Sequence, residues 1–294
     1  MNESELVWDA RCGTAESCLW DATRRRVLFC DIPAGRIHAF CIDSGKQETW
    51  TLPDIVGSFG LCRSGRLIVA LRNRIVFLDT VTGTVTNFAY DFNEATTNRL
   101  NDGKVGPDGC FWVGSMDDRP TKEPTAALYR VTQTGAIERK ADGYVVSNGL
   151  AWSADGRTMY HSDSRQSFIE AWDFDASNGR MTNLRRLTTL SDEDGRPDGA
   201  ACDVEGCYWS AGVTAGCLNR FSPRGELLAK IALPVPAPTM PCFVGRWLYV
   251  TSLRDGLSED LLRRFPTLGG LFRLPVSVHG VPVNTFADVA QPLG

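Results

Sequence analysis

A spacing constrains this chain more than any single motif does. Pairs of short apolar runs, joined by turns such as Ser64-Gly65, Asp108-Gly109, Asp155-Gly156 and Glu205-Gly206, recur in units that begin near residues 16, 57, 101, 148, 198 and 239. The intervals run from 41 to 50 residues, room for about four short strands each, which is the period of a β-propeller blade. In three units a polar residue stands seven positions before the turn: Asn101, Asn148 and Asp198. A large β-sandwich with coincidental turn spacing is the competing architecture, and it gives no reason for that shared phase. The sequence therefore predicts an all-β fold, a six-bladed β-propeller occupying 1–294 as a single domain.

The runs themselves are strand-like. Leu67–Leu71, Phe111–Gly114, Ala127–Val131, Ile169–Phe174 and Trp247–Thr251 are rich in β-branched and aromatic residues and bounded by turn formers. One stretch has helical punctuation instead, predicting a short helix near 258–265. Ser258 is placed to cap it, Glu259 and Asp260 occupy the first turn, Arg263 and Arg264 the last, and Pro266 stops it. A polar stretch, 116–125, reads as a long loop and a candidate lid.

Composition narrows the function classes. The net charge is −4 with acidic and basic residues interspersed, so no basic patch argues for nucleic acid and no charged tail argues for a partner arm. No window approaches the roughly 18 consecutive apolar residues of a membrane helix, and the acidic N-terminus lacks the basic and apolar regions of a secretory signal. The expectation is a cytoplasmic protein acting on a small molecule, with its oligomeric state left open. The ten cysteines include no Cys-x-x-Cys pair, and several fall in apolar runs, so they read as buried reduced thiols. His38, His161 and His279 read as ordinary strand or surface residues.

Phase gives place. The innermost strand of each blade lines the central channel, so one position per blade can face a shared mouth. Gly57 and Thr239 hold that position in the second and sixth units and offer little chemistry; Glu16 holds it in the first. The mouth would then carry Glu16, Asn101, Asn148 and Asp198, with Arg99 and Asp102 beside them. Carboxylates and amide oxygens without His or Cys form a hard donor set suited to Ca²⁺, Mg²⁺ or Mn²⁺. So few protein ligands would leave coordination positions for water or substrate.

These residues also carry a resemblance. Glu16-Ser17-x-x-Trp20, Asn98-Arg99-x-Asn101-Asp102-Gly103-Lys104, Ser147-Asn148-Gly149-Leu150-Ala151-Trp152-Ser153, Pro197-Asp198-Gly199 and Pro241-Cys242-Phe243 resemble the regucalcin/gluconolactonase-like (senescence marker protein) family over nearly the whole chain. The resemblance implies a six-bladed propeller with one divalent metal in its channel, Ca²⁺ first, with Mn²⁺, Mg²⁺, Zn²⁺ and Fe²⁺ as the other candidates. Glu16, Asn148 and Asp198 match its metal ligands; Arg99 and Asn101 match its substrate-binding pair. Cys18 stands where that family usually has Pro. Glu123 does not align cleanly with a further substrate-contacting acid and is left out of the set.

The function so implied is hydrolysis of a sugar-acid lactone to the aldonic acid. The metal would polarise the ester carbonyl, and Asp198 or a metal-bound hydroxide would activate water. Two other classes compete: a non-catalytic divalent-ion or ligand-binding propeller, and a protein-interaction platform. Within enzymes, another ester or a phosphotriester is the alternative substrate. Arg99 beside Asn101 separates the enzyme from a pure ion site, which has no use for an adjacent cation.

Overall fold

Residues 4–289 are described by the computed structural model. They form six antiparallel four-stranded blades around a central axis, as the repeat predicts. The innermost strands, in blade order, are Ala15–Asp21, Val56–Cys62, Asn98–Val105, Ser147–Trp152, Pro197–Cys202 and Pro238–Val244. Each contacts the next around the ring, and the sixth contacts the first.

Burial follows distance from the axis. The inner strands are buried along almost their full length, whereas outer strands such as Gln47–Thr51 and Leu227–Ala232 are exposed at alternate positions or throughout. Strands packed on both faces read as near-continuous apolar runs, and those at the rim alternate. The core is accordingly a ring of apolar layers between blades, not one central core. Leu28, Ile37, Phe59, Val69 and Val76 fill the layer between blades 1 and 2; Cys18, Phe29, Met240, Cys242 and Tyr249 fill that between blades 6 and 1. Each fully buried side chain of this size is worth about 1.5–3 kcal/mol relative to exposure.

All six inner strands share one irregularity. Their pairing with the neighbouring strand slips at Glu16/Leu19, Val56/Ser58, Leu100/Gly103, Asn148/Ala151, Pro197/Ala200 and Pro238/Pro241. A bulge re-aims the side chains beside it, so the recurring phase in the sequence is the phase of a bulge. Gly57 shows why blade 2 contributes no side chain there: a Cβ would lie 2.6 Å from the Leu100 carbonyl oxygen. Thr239 is likewise committed, its hydroxyl donating to the Ala15 carbonyl and pairing with Thr251.

The ends of the chain close the ring, which the repeat did not disclose. Glu5–Trp8 supplies the outer strand of blade 6, pairing antiparallel with Leu271–Pro275. The segment after blade 6 crosses the far end of the channel. Val281 donates to the Cys202 carbonyl, Asn284 reaches the Val105 carbonyl, and Thr285–Phe286 pairs parallel with Leu61 and Cys62. The helix occupies Glu259–Arg264, capped by the Ser258 hydroxyl.

Two further expectations meet the structure. The ten cysteines are all free, and nine are buried. The polar stretch 116–125 begins as strand, because Phe111–Asp117 runs two residues into it. The remainder folds back on the buried Asp117 carboxylate, which accepts from the Arg119 guanidinium and from the Glu123 backbone N–H. Among the described residues no helix is long and apolar enough to cross a membrane.

Candidate active site at the channel mouth

A cavity of about 480 Å³ opens where the inner strands begin, within the usual range for small-molecule sites. Glu16, Arg99, Asn101, Asn148 and Asp198 all line it, so the structure brings the five predicted residues together from four blades. Asp102 joins them at the floor. Glu123 does not: it is exposed and paired with Arg119, while its neighbour Lys122 faces the cavity.

The floor is acidic. Glu16 is buried, with Oε2 accepting from the Ser17 N–H at 2.6 Å and Oε1 buried without a partner. Asp102 Oδ2 accepts from the Leu150 N–H at 3.1 Å, and its Oδ1 is equally orphaned. Asp198 Oδ1 accepts from Asn148 Nδ2 at 2.6 Å. That same amide nitrogen donates to Ser164 Oγ at 2.9 Å, which leaves Asn148 Oδ1 as the amide's ligand atom. The positive φ of Gly149 sustains this packing, since a Cβ there would meet the Tyr208 hydroxyl and Ser162 Oγ.

Burial and mutual repulsion keep these acids from ionising freely. Glu16 is held well above the usual carboxylate range by desolvation first and by the charges of Asp198 and Asp102 next. Asp198 is pushed up to about 7 by desolvation and then by Asp102, against the hydrogen bond from Asn148. Asp102 is raised by burial, with Lys104 opposing. The Lys104 ammonium itself donates to the Ala200 carbonyl at 2.6 Å. Unpaired buried carboxylates are costly. Two orphaned oxygens and an available amide oxygen, from blades 1, 3 and 4, fit a hard divalent cation with oxygen ligands.

The cation side of the site is preorganised. Arg99 Nη1 donates to Asn101 Oδ1 at 2.8 Å and to the Leu100 carbonyl at 3.0 Å, and Nε donates to Asp118 at 3.2 Å. Asn101 Nδ2 donates to the Ser147 carbonyl at 3.0 Å, tying blade 3 to the strand that carries Asn148. Beneath Ser147 lies an arrangement that the sequence did not reveal. Ser147 Oγ is 2.7 Å from His161 Nε2, and His161 Nδ1 is 3.1 Å from Glu170 Oε1, which also accepts from the Tyr144 hydroxyl. The order is that of a hydrolytic triad, but Ser147 and His161 are fully buried and Glu170 nearly so. No substrate reaches that serine, so the row acts as a tether for the inner strand.

Sequence reasoning also missed Arg165 and Arg196, which line the same cavity from the blade 4 and blade 5 side. Arg165 follows the second strand of blade 4 and Arg196 precedes the inner strand of blade 5, neither at the repeated phase, so no periodic signal pointed to them. A separate grouping of metal-type donors, Cys12, Asp31 and His38, has its ligand atoms within 4.8 Å of one another. It is buried between blade 1 and the closing strand, and burial together with Asp31 holds its thiol well above the usual range.

The family described as SMP-30/Gluconolactonase/LRE-like region matches residues 14–254, which span all six inner strands. The chain belongs to this family. Among curated relatives it is 38% identical over 277 residues to 6-deoxy-6-sulfogluconolactonase of Pseudomonas putida, covering 92% of this chain and 94% of the relative. It is 32% identical over 292 residues to regucalcin of Gallus gallus, covering 96% and 98%. A solved structure of a calcium-binding regucalcin from Agrobacterium tumefaciens superposes with a TM-score of 0.91 at 24% identity over 97% of both chains, a likeness of fold.

Proposed function

We propose that this member of the family hydrolyses a sugar-acid lactone to the open-chain aldonic acid in a divalent-metal-dependent reaction. The observation that carries the reading is the floor of the cavity. Buried Glu16 and Asp102 and half-buried Asp198, from separate blades, repel one another there, and one oxygen of each of the two buried acids has no partner. Glu16, Asn148 and Asp198 would hold the cation, with Asp102 adding charge beside them. When bound, the cation supplies Lewis acidity at the ester carbonyl and stabilises negative charge on its oxygen.

The chain's own residues do the rest. Arg99, fixed by Asp118 and Asn101, presents its remaining N–H groups to ring hydroxyls and sets the orientation of the lactone. Asn101 has both polar atoms engaged, so it contributes mainly by holding Arg99 and by a second lone pair on Oδ1. Asp198, through the oxygen that Asn148 does not engage, takes the proton from the attacking water and returns it to the leaving ring oxygen. The 6-deoxy-6-sulfogluconolactonase among the curated relatives supports lactone chemistry. Ca²⁺ is the first candidate cation, in keeping with the calcium-binding relative of known structure.

The test is a panel of aldonolactones assayed by proton release on metal-stripped protein, with Ca²⁺, Mn²⁺, Mg²⁺, Zn²⁺ and Fe²⁺ added back singly. Turnover of at least one lactone that depends on an added ion is expected. Tight ion binding with no turnover of any lactone would leave an ion-binding propeller in its place.

A further inference from the structure

The cavity described above is electrically lopsided. Acids occupy its floor, and Asp255 its blade 6 rim, while Arg99, Lys122, Arg165 and Arg196 crowd the side formed by blades 3 to 5. Two of those cations are spoken for. Arg99 is held by Asp118 and Asn101, and the Lys122 ammonium donates to the Asp117 carbonyl.

Arg165 and Arg196 are different. Their backbones are anchored: the Arg165 N–H donates to the buried Asp163 carboxylate at 2.8 Å, and the Arg196 N–H donates to Thr214 Oγ1 at 2.9 Å just before Pro197. Among the described residues, neither guanidinium has an ion pair or hydrogen bond. Arg196 Nε is buried without a partner, the only cationic nitrogen so placed among the described residues. The two positive groups sense each other, for Arg196 is held below the usual arginine range by desolvation first and by Arg165 next. The acid whose charge acts on Arg196 is Asp198, already engaged by Asn148. Arg196 is half-buried and Arg165 exposed, so what lacks a partner is the buried Nε of Arg196, and such a donor is costly unless an acceptor arrives to meet its group.

We infer that the substrate carries an anionic oxyacid group at the end remote from its ester, and that Arg165 and Arg196 receive it on the blade 4–blade 5 side of the mouth. The inference rests on the lactonase reading for the ester end alone. The chemistry recognised is that of a sulfonate, phosphate or carboxylate, whose several oxygens match the planar fork of arginine. A neutral hydroxymethyl group offers one weak acceptor to two cations and leaves the buried Nε unsatisfied.

The experiment compares kcat/KM for an unsubstituted aldono-δ-lactone with that for the same lactone bearing a 6-sulfonate, a 6-phosphate or a 6-carboxylate, using metal-loaded protein. The wild type is expected to favour one of the charged lactones by about 100-fold, and the preferred arm identifies the group. Arg165→Gln, at an exposed position, should lower the charged-to-neutral ratio about tenfold. Arg165→Gln with Arg196→Gln should bring the ratio near one, and Arg196→Lys should restore part of it. Added salt should erode the preference. A ratio near one in the wild type, or a ratio that the substitutions do not move, overturns the inference. Calorimetric titration with the open-chain 6-substituted aldonates separates the two readings. Weaker binding of the charged aldonate to Arg165→Gln sustains the anion subsite even if no lactone is hydrolysed, whereas equal binding removes it.

Discussion

At the scale of single residues, Asp198 and Arg99 make opposite demands on a kinetic assay. Asp198→Asn keeps the hydrogen-bonding shape but loses the charge and the proton acceptor. Turnover is expected to fall by about 10³-fold or more, with a thermal midpoint that is not lowered, since one repelling acid has been removed from the floor. Stopped assays of kcat beside a melting curve check both halves of that expectation. Arg99→Ala is expected to act mainly on KM, raising it about 10- to 100-fold. If its only effect were a lower melting temperature, Arg99 would be a structural residue. Glu16, Asn101, Asn148 and Asp198 were legible in the sequence because a bulged inner strand repeats, so chemistry held at one phase of the repeat leaves a periodic trace. Asp102 sits next to that phase, so the repeat places it beside the mouth and gives it no role of its own. Arg165 and Arg196 leave no such trace, because one lies in a turn and the other ahead of a strand.

At the scale of elements, the buried Ser147–His161–Glu170 row is the part that ties chemistry to packing. Its members come from three adjacent strands of blade 4, and Ser147 also receives Asn101 from blade 3. His161→Ala leaves Ser147 Oγ and Glu170 Oε1 short of a partner and is expected to cost about 2–4 kcal/mol in urea unfolding. The row also makes stability depend on pH. Burial would raise the Glu170 carboxyl, but hydrogen bonds from His161 and Tyr144 and the charge of Arg186 leave it below its usual value. A carboxyl lowered in the folded state stabilises fully above its unfolded value, and that contribution is lost as pH falls through the folded value. Urea midpoints measured on descending pH should therefore drop less in Glu170→Gln than in the wild type. Nothing in the sequence announced this row, since Ser147, His161 and Glu170 meet only once three strands are in register.

At the scale of the molecule, the repeat fixed the number of blades but was silent about how the ring closes. The sixth unit is one strand short in sequence, and Glu5–Trp8 completes it from the other end of the chain. Removing residues 1–8 would unpair Leu271–Pro275 and bare the layer that holds Trp247 and Tyr249. A fall of roughly 10 °C or more in the melting temperature is expected by calorimetry. The C-terminal segment lies across the far end of the channel, so under the proposed function the lactone enters at the mouth, above Glu16, Asn148 and Asp198.

The proposed function turns on where a cation sits. The most direct measurement is an anomalous difference map from a crystal soaked in Mn²⁺. One strong peak is expected at the floor of the mouth, with oxygens of Glu16, Asn148 and Asp198 at about 2.0–2.6 Å. A map without a peak there, or with its peak at Cys12, Asp31 and His38 instead, would contradict it.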